Sequence, residues 1–188
     1  ERFLWKFFSK TPTGKMRWTD DTQMSIDIAE TLIEKKKIDV NFLAQKFASS
    51  YKWSRGYGPA AGKVLKSIRK GTQWEIASRE TYREGSLGNG GAMRSPLIGL
   101  MYFDNEALLI KEISKATKIT HGHPLAIEGA VLIGRAISLA LNKNNSIDII
   151  KKIIEHSKDN IFRERSRLSL EWLKNNSNIS PKEISKNL

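Results

Sequence analysis

The sequence has 188 residues, of which 39% are hydrophobic and 28% charged, the proportions of one folded domain with a sizeable core rather than of a disordered or fibrous chain. Cysteine is absent, which excludes disulfides, zinc–thiolate sites, iron–sulfur clusters and thiol nucleophiles together, and the expected setting is a reducing cytoplasm. The formal net charge is +12, but much of the excess sits at the two ends, with five basic residues against one acidic in 1–18 and ten against six in 142–188.

The chain opens Glu-Arg-Phe-Leu-Trp-Lys, with charges where a signal peptide needs a continuous apolar core, so no secretion signal is expected. Met24, Ile28 and Leu32 then recur at four-residue spacing, with Ala29 and Ile33 beside them and Lys35–Lys37 clustered where cations suit a helix C-terminus. Asp39 is placed to cap a second helix through Phe42, Leu43 and Phe47. Val64, Leu65 and Ile68 mark a third, closed by Gly71. Ala107–Ile119 and His123–Leu141 read as two more helices. The second is apolar on most faces and therefore central, and its Glu128 and Arg135 argue against a membrane span. Ile147, Ile150, Ile153 and Ile154 form another stripe, continued by Leu168, Leu170 and Leu173. Ser180-Pro181-Lys182-Glu183 is a capping box with proline in the first turn.

No alternating strand and no internal repeat appears, so the expected fold is an all-α bundle in a single domain over 1–188. All thirteen glycines lie between Gly14 and Gly134, which makes the middle of the chain loop-rich and the expected location of a site. The basic ends carry no recognition motif and no interleaved aromatic–basic platform, so specific nucleic-acid binding is not expected.

Four clusters carry possible chemistry. Trp18-Thr19-Asp20-Asp21-Thr22-Gln23-Met24 puts two adjacent carboxylates beside hydroxyls, a repulsive arrangement that a hard cation relieves. The same residues also suit a helix N-terminus, where they cap orphan N–H groups. Gly85-Ser86-Leu87-Gly88-Asn89-Gly90-Gly91-Ala92-Met93-Arg94 brings successive backbone N–H groups together, as a phosphate or diphosphate cradle needs. A plain flexible loop is the competing reading, and the spacing matches neither the P-loop nor the dinucleotide fingerprint. Thr120-His121-Gly122-His123-Pro124 offers two ring nitrogens but no third metal ligand nearby; a capping or ligand-binding histidine is the other reading. Arg55-Gly56-Tyr57-Gly58-Pro59 is a turn with an aromatic at its tip, uninformative by itself.

Taken together in chain order, the four clusters resemble the ADP-ribosylglycohydrolase family, which includes ADP-ribosyl hydrolases and glycohydrolases that activate dinitrogenase reductase. The motif-bearing resemblance covers roughly residues 16–141, with 142–188 as a helical extension. It implies a compact all-α fold with a binuclear magnesium (Mg2+) centre. It implies that Thr19, Asp20 and Asp21 ligate metal, with Asp20 and Asp21 serving catalysis. Ser86, Gly88, Asn89 and Gly90 then hold the diphosphate of ADP-ribose, and His121 helps hold the ligand. The implied activity is magnesium-dependent hydrolysis of the N- or O-glycosidic bond of ADP-ribose conjugates, on modified protein side chains or small molecules. Relatives that act on serine-linked ADP-ribose often place an aromatic where this chain has Leu87, so adenine stacking is not implied at that position.

The family's early glycine-aspartate-alanine segment and its late Asp-x-Asp-Thr metal motif have no counterpart here. After Leu141 the chain offers Asp148 and Asp159 on separate amphipathic segments and no glycine. One expectation is therefore a fragment, incomplete at both ends or part of a split enzyme, finished by a complementing chain. A second is a catalytically impaired ADP-ribose-binding module. A third is a metal site completed by unusual residues of the C-terminal third.

Overall fold

The computed structural model describes residues 18–175 and 179–187. The basic N-terminal stretch, Gly14 and the first two residues of the 16–141 span lie outside them. Among the described residues there are ten α-helices, two 3-10 turns and no strand, so the all-α expectation holds. In chain order the helices are α1 (Asp20–Lys35), α2 (Val40–Ser50), α3 (Pro59–Arg69), α4 (Trp74–Thr81), α5 (Ser95–Met101), α6 (Glu106–Lys118), α7 (Pro124–Leu141), α8 (Ser146–His156), α9 (Asn160–Lys174) and α10 (Pro181–Asn187). The 3-10 turns are Trp53–Arg55 and Ala92–Arg94.

The core lies where α1, α2, α3 and α6 meet. Met24 and Ile28 of α1, Leu43 and Phe47 of α2, Leu65 and Ile68 of α3, and Ile113 of α6 are all fully buried there. Burying a side chain of this size contributes about 1.5–3 kcal/mol each. The stripe on α1 is narrower than the sequence suggests: Ile33, one residue and about 100° past Leu32, is 70% exposed.

Polar groups join the helices at their ends. Asp39 caps α2 as expected, its Oδ1 accepting from the Phe42 N–H at 3.0 Å. Buried Glu112 on α6 accepts the Ile38 N–H at 2.9 Å and pairs with Lys115, which ties α6 to the α1–α2 turn. Arg69 near the end of α3 donates to the carbonyls of Ala48, Ser49 and Tyr51 at the end of α2, supplying partners that a helix C-terminus lacks. The Ser180 hydroxyl accepts the Glu183 N–H at 3.2 Å, one half of the expected capping box.

Helix α7 packs against α5, α6, α8 and the Ala92–Arg94 turn, which makes it central in connectivity. It is long and apolar enough to cross a membrane by length and composition, yet only 28% of it is buried here. Both of its charged residues are engaged: Glu128 accepts the Lys158 and Asp159 N–H groups, and Arg135 pairs with Glu106 at 2.7 Å. Helices α8 and α9 pack on each other and contain no fully buried residue. Helix α4 and the two 3-10 turns are elements that the periodicity did not reveal.

Candidate functional site

The Thr-Asp-Asp string is the entrance to α1. Thr19 is in extended backbone at the N-cap position, yet its side chain makes no capping bond; its hydroxyl donates to Asp21 Oδ2 at 2.8 Å instead. Asp20 and Asp21 occupy the first turn, where the helix dipole favours negative charge. A polar brace lies beneath them. Trp18 Nε1 and Arg55 Nη1 both donate to Gln23 Oε1, and the Arg55 guanidinium lies 4.9 Å from the Trp18 ring. Gln23 Nε2 in turn donates to Asp27 Oδ1 at 2.9 Å, while the Ser50 hydroxyl donates to Asp27 Oδ2. Burial pushes the Asp27 carboxyl above its ordinary range, and the Ser50 and Gln23 hydrogen bonds oppose that shift. The Arg-Gly-Tyr-Gly turn therefore has a definite role: Arg55 holds the start of α1.

The glycine-rich loop crosses the last residues before α7. Gly85 has φ +87°, and a Cβ there would lie 2.5 Å from both Gly122 C and His123 N, so only glycine permits this crossing. Gly90 rests on the His121 ring, where an added Cβ would fall 2.8 Å from Nε2. The Gly88 N–H points to the Ser86 hydroxyl at 3.3 Å. The loop ends in the Ala92–Arg94 turn and α5, a helix of seven residues. Such short elements add little dipole, so an anion here depends on loop N–H groups and nearby side chains.

The two histidines part company. His123 caps α7, its Nδ1 accepting the Leu125 N–H at 3.2 Å. His121 is buried, and its Nδ1 lies 2.8 Å from Thr120 Oγ1. Thr120 also accepts from Arg94 Nη2 at 2.9 Å, and the same Nη2 donates to the Ala116 carbonyl. Arg94 is 1% exposed, lies over the Phe47 ring at 4.9 Å and has no carboxylate partner among the described residues. Burial pulls its pKa down to about 9, and burial together with the Arg94 charge pulls that of His121 down to about 3. At neutral pH the site thus contains a buried cation behind an uncharged imidazole.

These parts meet at one cavity of about 500 Å³, within the range of small-molecule sites. Asp20 borders it, with Ser86, Gly88, Asn89, Gly90 and His121 from the other two motifs. Thr19 and Asp21 are not on its lining, and Asp21 is exposed. Among the described residues no lysine or arginine lines the cavity. Tyr82, Met24 and Met93 also line it, none of them a site residue expected from the sequence; nothing separates a cavity-lining methionine from a core one in an apolar stripe. Leu87 lines it too and is 59% exposed.

The donor set of Thr19, Asp20 and Asp21 is three hard oxygens, which suits one magnesium ion that keeps several waters. Among the described residues no group of three or more His, Asp or Glu stands together to hold an ion. Asp148 and Asp159 are committed elsewhere: Asp148 accepts from Asn145 Nδ2 at 2.7 Å, and Asp159 caps α9 through the Ile161 N–H at 2.8 Å. Residues present fit one hydrated dication, and the described residues supply no further carboxylate cluster for a second.

A sequence model of the family described as ADP-ribosylglycohydrolase matches residues 2–188, a span that takes in the C-terminal helices. ADP-ribosylhydrolase ARH3 of Gallus gallus is 34% identical over 160 residues, which cover 79% of this chain and 43% of that protein. The Homo sapiens ADP-ribosylhydrolase ARH3 is 31% identical over 157 residues, 78% of this chain and 42% of its own length. ADP-ribosyl-[dinitrogen reductase] glycohydrolase of Rhodospirillum rubrum is 29% identical over 119 residues, 63% of this chain and 40% of that protein. The chain spans less than half the length of these relatives.

Proposed function

The chain belongs to the ADP-ribosylglycohydrolase family, and from that premise we propose that it serves the hydrolysis of glycosidic bonds in ADP-ribose conjugates, on modified protein side chains or small molecules. The observation that carries this reading is the meeting of Asp20, the loop of residues 85–90 and His121 around one cavity of about 500 Å³. A diphosphate needs several converging donors, and backbone N–H groups of a glycine-rich loop supply them without a lysine or arginine. Asp20 then faces the sugar end, where negative charge favours a transition state with oxocarbenium character.

Thr19, Asp20 and Asp21 are the residues that would hold magnesium. What the ion contributes when bound is orientation of ribose hydroxyls and a more acidic or better placed water. The chain's own residues do the rest: the loop fixes the diphosphate, His121 contacts it, and the Arg55–Gln23–Asp27 brace keeps the start of α1 in register with the cavity.

A second reading is favoured by one observation: the described residues contain no further cluster of metal-ligating carboxylates. In that reading the chain binds ADP-ribose and cleaves its conjugates only when a complementing segment supplies the missing ligands. The test is release of free ADP-ribose from ADP-ribosylated peptides, with magnesium and with chelator. Magnesium-dependent release that Asp20→Ala and Asp21→Ala abolish, without loss of fold, supports the enzyme. Binding without release, converted to release by adding the remaining family segment in trans, supports the second reading. Turnover unaltered by both substitutions removes these aspartates from the mechanism.

A further inference from the structure

The hydroxyl of Thr120 has one hydrogen to give, and its surroundings decide where that hydrogen goes. Arg94 Nη2 can only donate, so the 2.9 Å contact uses Thr120 Oγ1 as acceptor. The remaining partner at hydrogen-bond distance is His121 Nδ1, at 2.8 Å. Thr120 is 1% exposed, so a hydroxyl hydrogen aimed anywhere else would be stranded away from water, at a cost comparable to a lost hydrogen bond. The arrangement closes only if Thr120 donates to a bare Nδ1. The single ring hydrogen of a neutral imidazole then sits on Nε2.

Nε2 is the nitrogen on the cradle side of the ring. It lies beside Gly88 and Gly90, whose absent Cβ atoms would fall 3.0 Å and 2.8 Å from it, and His121 lines the cavity that the loop encloses. The described residues put no lysine or arginine on the cavity wall, so a donor placed here matters more to an anion than it would on a basic surface. Behind the ring, Arg94 is buried without a carboxylate partner among the described residues, and its Nε has no hydrogen-bond partner among them. A cation in that state polarises the chain of hydrogen bonds running from it toward the cavity.

We propose that Arg94 and Thr120 are positioning residues that hold His121 as the neutral Nε2–H tautomer, so that the ring donates a hydrogen bond to a phosphate oxygen lying in the cradle of residues 85–90. The donor role rests on the reading of that loop as a diphosphate site; the tautomer does not, because it follows from hydrogen-bond geometry in the ligand-free protein.

The experiment is a long-range proton–nitrogen spectrum of 15N-histidine-labelled full chain at neutral pH, with His121 assigned by its loss in His121→Gln. The protein carries its own contrast. His156 Nδ1 lies 2.7 Å from the Lys152 carbonyl, which can only accept, so its Nδ1 bears a hydrogen where that of His121 is bare, whatever its Nε2 carries beside Glu106 at 3.6 Å. The expected result is Nε2–H for His121 and Nδ1–H for His156. Thr120→Val should shift His121 toward Nδ1–H and lower its affinity for inorganic pyrophosphate roughly tenfold. Thr120→Ser, which keeps the hydroxyl, should restore both, an outcome that a purely structural role for Thr120 would not require.

A wild-type His121 found as Nδ1–H or doubly protonated overturns the proposal, whatever the variants do. So does a Thr120→Val protein with unchanged tautomer and unchanged pyrophosphate affinity. A correct tautomer whose Nε2 signal ignores saturating pyrophosphate removes the donor role. Binding of pyrophosphate with the expected Nε2 response, but no release of ADP-ribose from conjugates, counts against the hydrolase reading alone.

Discussion

Gly90 rests against the face of His121 so closely that a Cβ on the glycine would lie 2.8 Å from Nε2. This contact joins the glycine-rich loop to the histidine motif and leaves no room for a side chain between them. Gly90→Ala should therefore displace the loop or the ring, lowering affinity for ADP-ribose at least tenfold and costing about 1–3 kcal/mol of stability. Calorimetric titration and thermal unfolding measure the two effects. An alanine variant that binds as the wild type does would show that the contact is not needed for the site.

Gly85 and Gly71 make a matched pair for separating backbone strain from steric overlap. Both have positive φ, +87° and +98°, but a Cβ on Gly71 meets nothing within 4 Å, whereas on Gly85 it meets the backbone of Gly122 and His123. Gly71→Ala should cost about 1–2 kcal/mol, the strain alone. Gly85→Ala should cost about 2–5 kcal/mol, strain plus overlap. Chemical denaturation of both variants gives the comparison, and equal losses would contradict the crossing of the loop over residues 122 and 123.

His121 gives the fold an acid sensitivity with a definite sign. Its pKa is about 3 in the folded protein against an ordinary 6.5. Between those values the unfolded chain takes up a proton that the folded chain refuses, so stability is retained above pH 6.5 and lost as pH falls toward 3. The slope from this one group is ~1.4 kcal/mol per pH unit. His121→Gln cannot be protonated and should show a shallower fall between pH 6.5 and 4. Parallel pH profiles for the two proteins would place the acid sensitivity elsewhere.

Arg55 should matter to α1 although it lies outside that helix. It shares Gln23 Oε1 with Trp18 and donates to the Ser50 carbonyl at 3.2 Å. Arg55→Ala removes one donor and the contact with the Trp18 ring, a loss of about 1 kcal/mol. Amide hydrogen exchange over the first turn of α1 should quicken while α6 is unchanged. Exchange unaffected in the first turn of α1 would deny Arg55 a bracing role.

Much of this was legible in the sequence because the signals are local. Asp39 capping α2 and the apolar spacing of Met24, Ile28 and Leu32 depend on neighbours in the chain, and they are found where expected. Helix α4 was not legible: its Trp74–Thr81 segment has one fully buried residue, Ala77, and so no apolar period to read. Nor was the importance of Arg94. In sequence it ends a glycine-rich run; in the fold it is buried between Phe47 of α2 and Thr120 in the turn after α6, far apart in the chain. The histidine pair was legible in kind but not in assignment: the sequence, with no third ligand nearby, favoured a capping or ligand-binding histidine over a shared ion, and packing decides that His123 caps the helix while His121 lines the cavity.

The central claim is that ADP-ribose occupies the cavity between Asp20, the loop of residues 85–90 and His121. Titration calorimetry of the chain with ADP-ribose, first with magnesium and then with chelator, tests it most directly. The expected result is saturable one-site binding that weakens on chelation and in Asp20→Ala. Absence of binding in both conditions would contradict the claim.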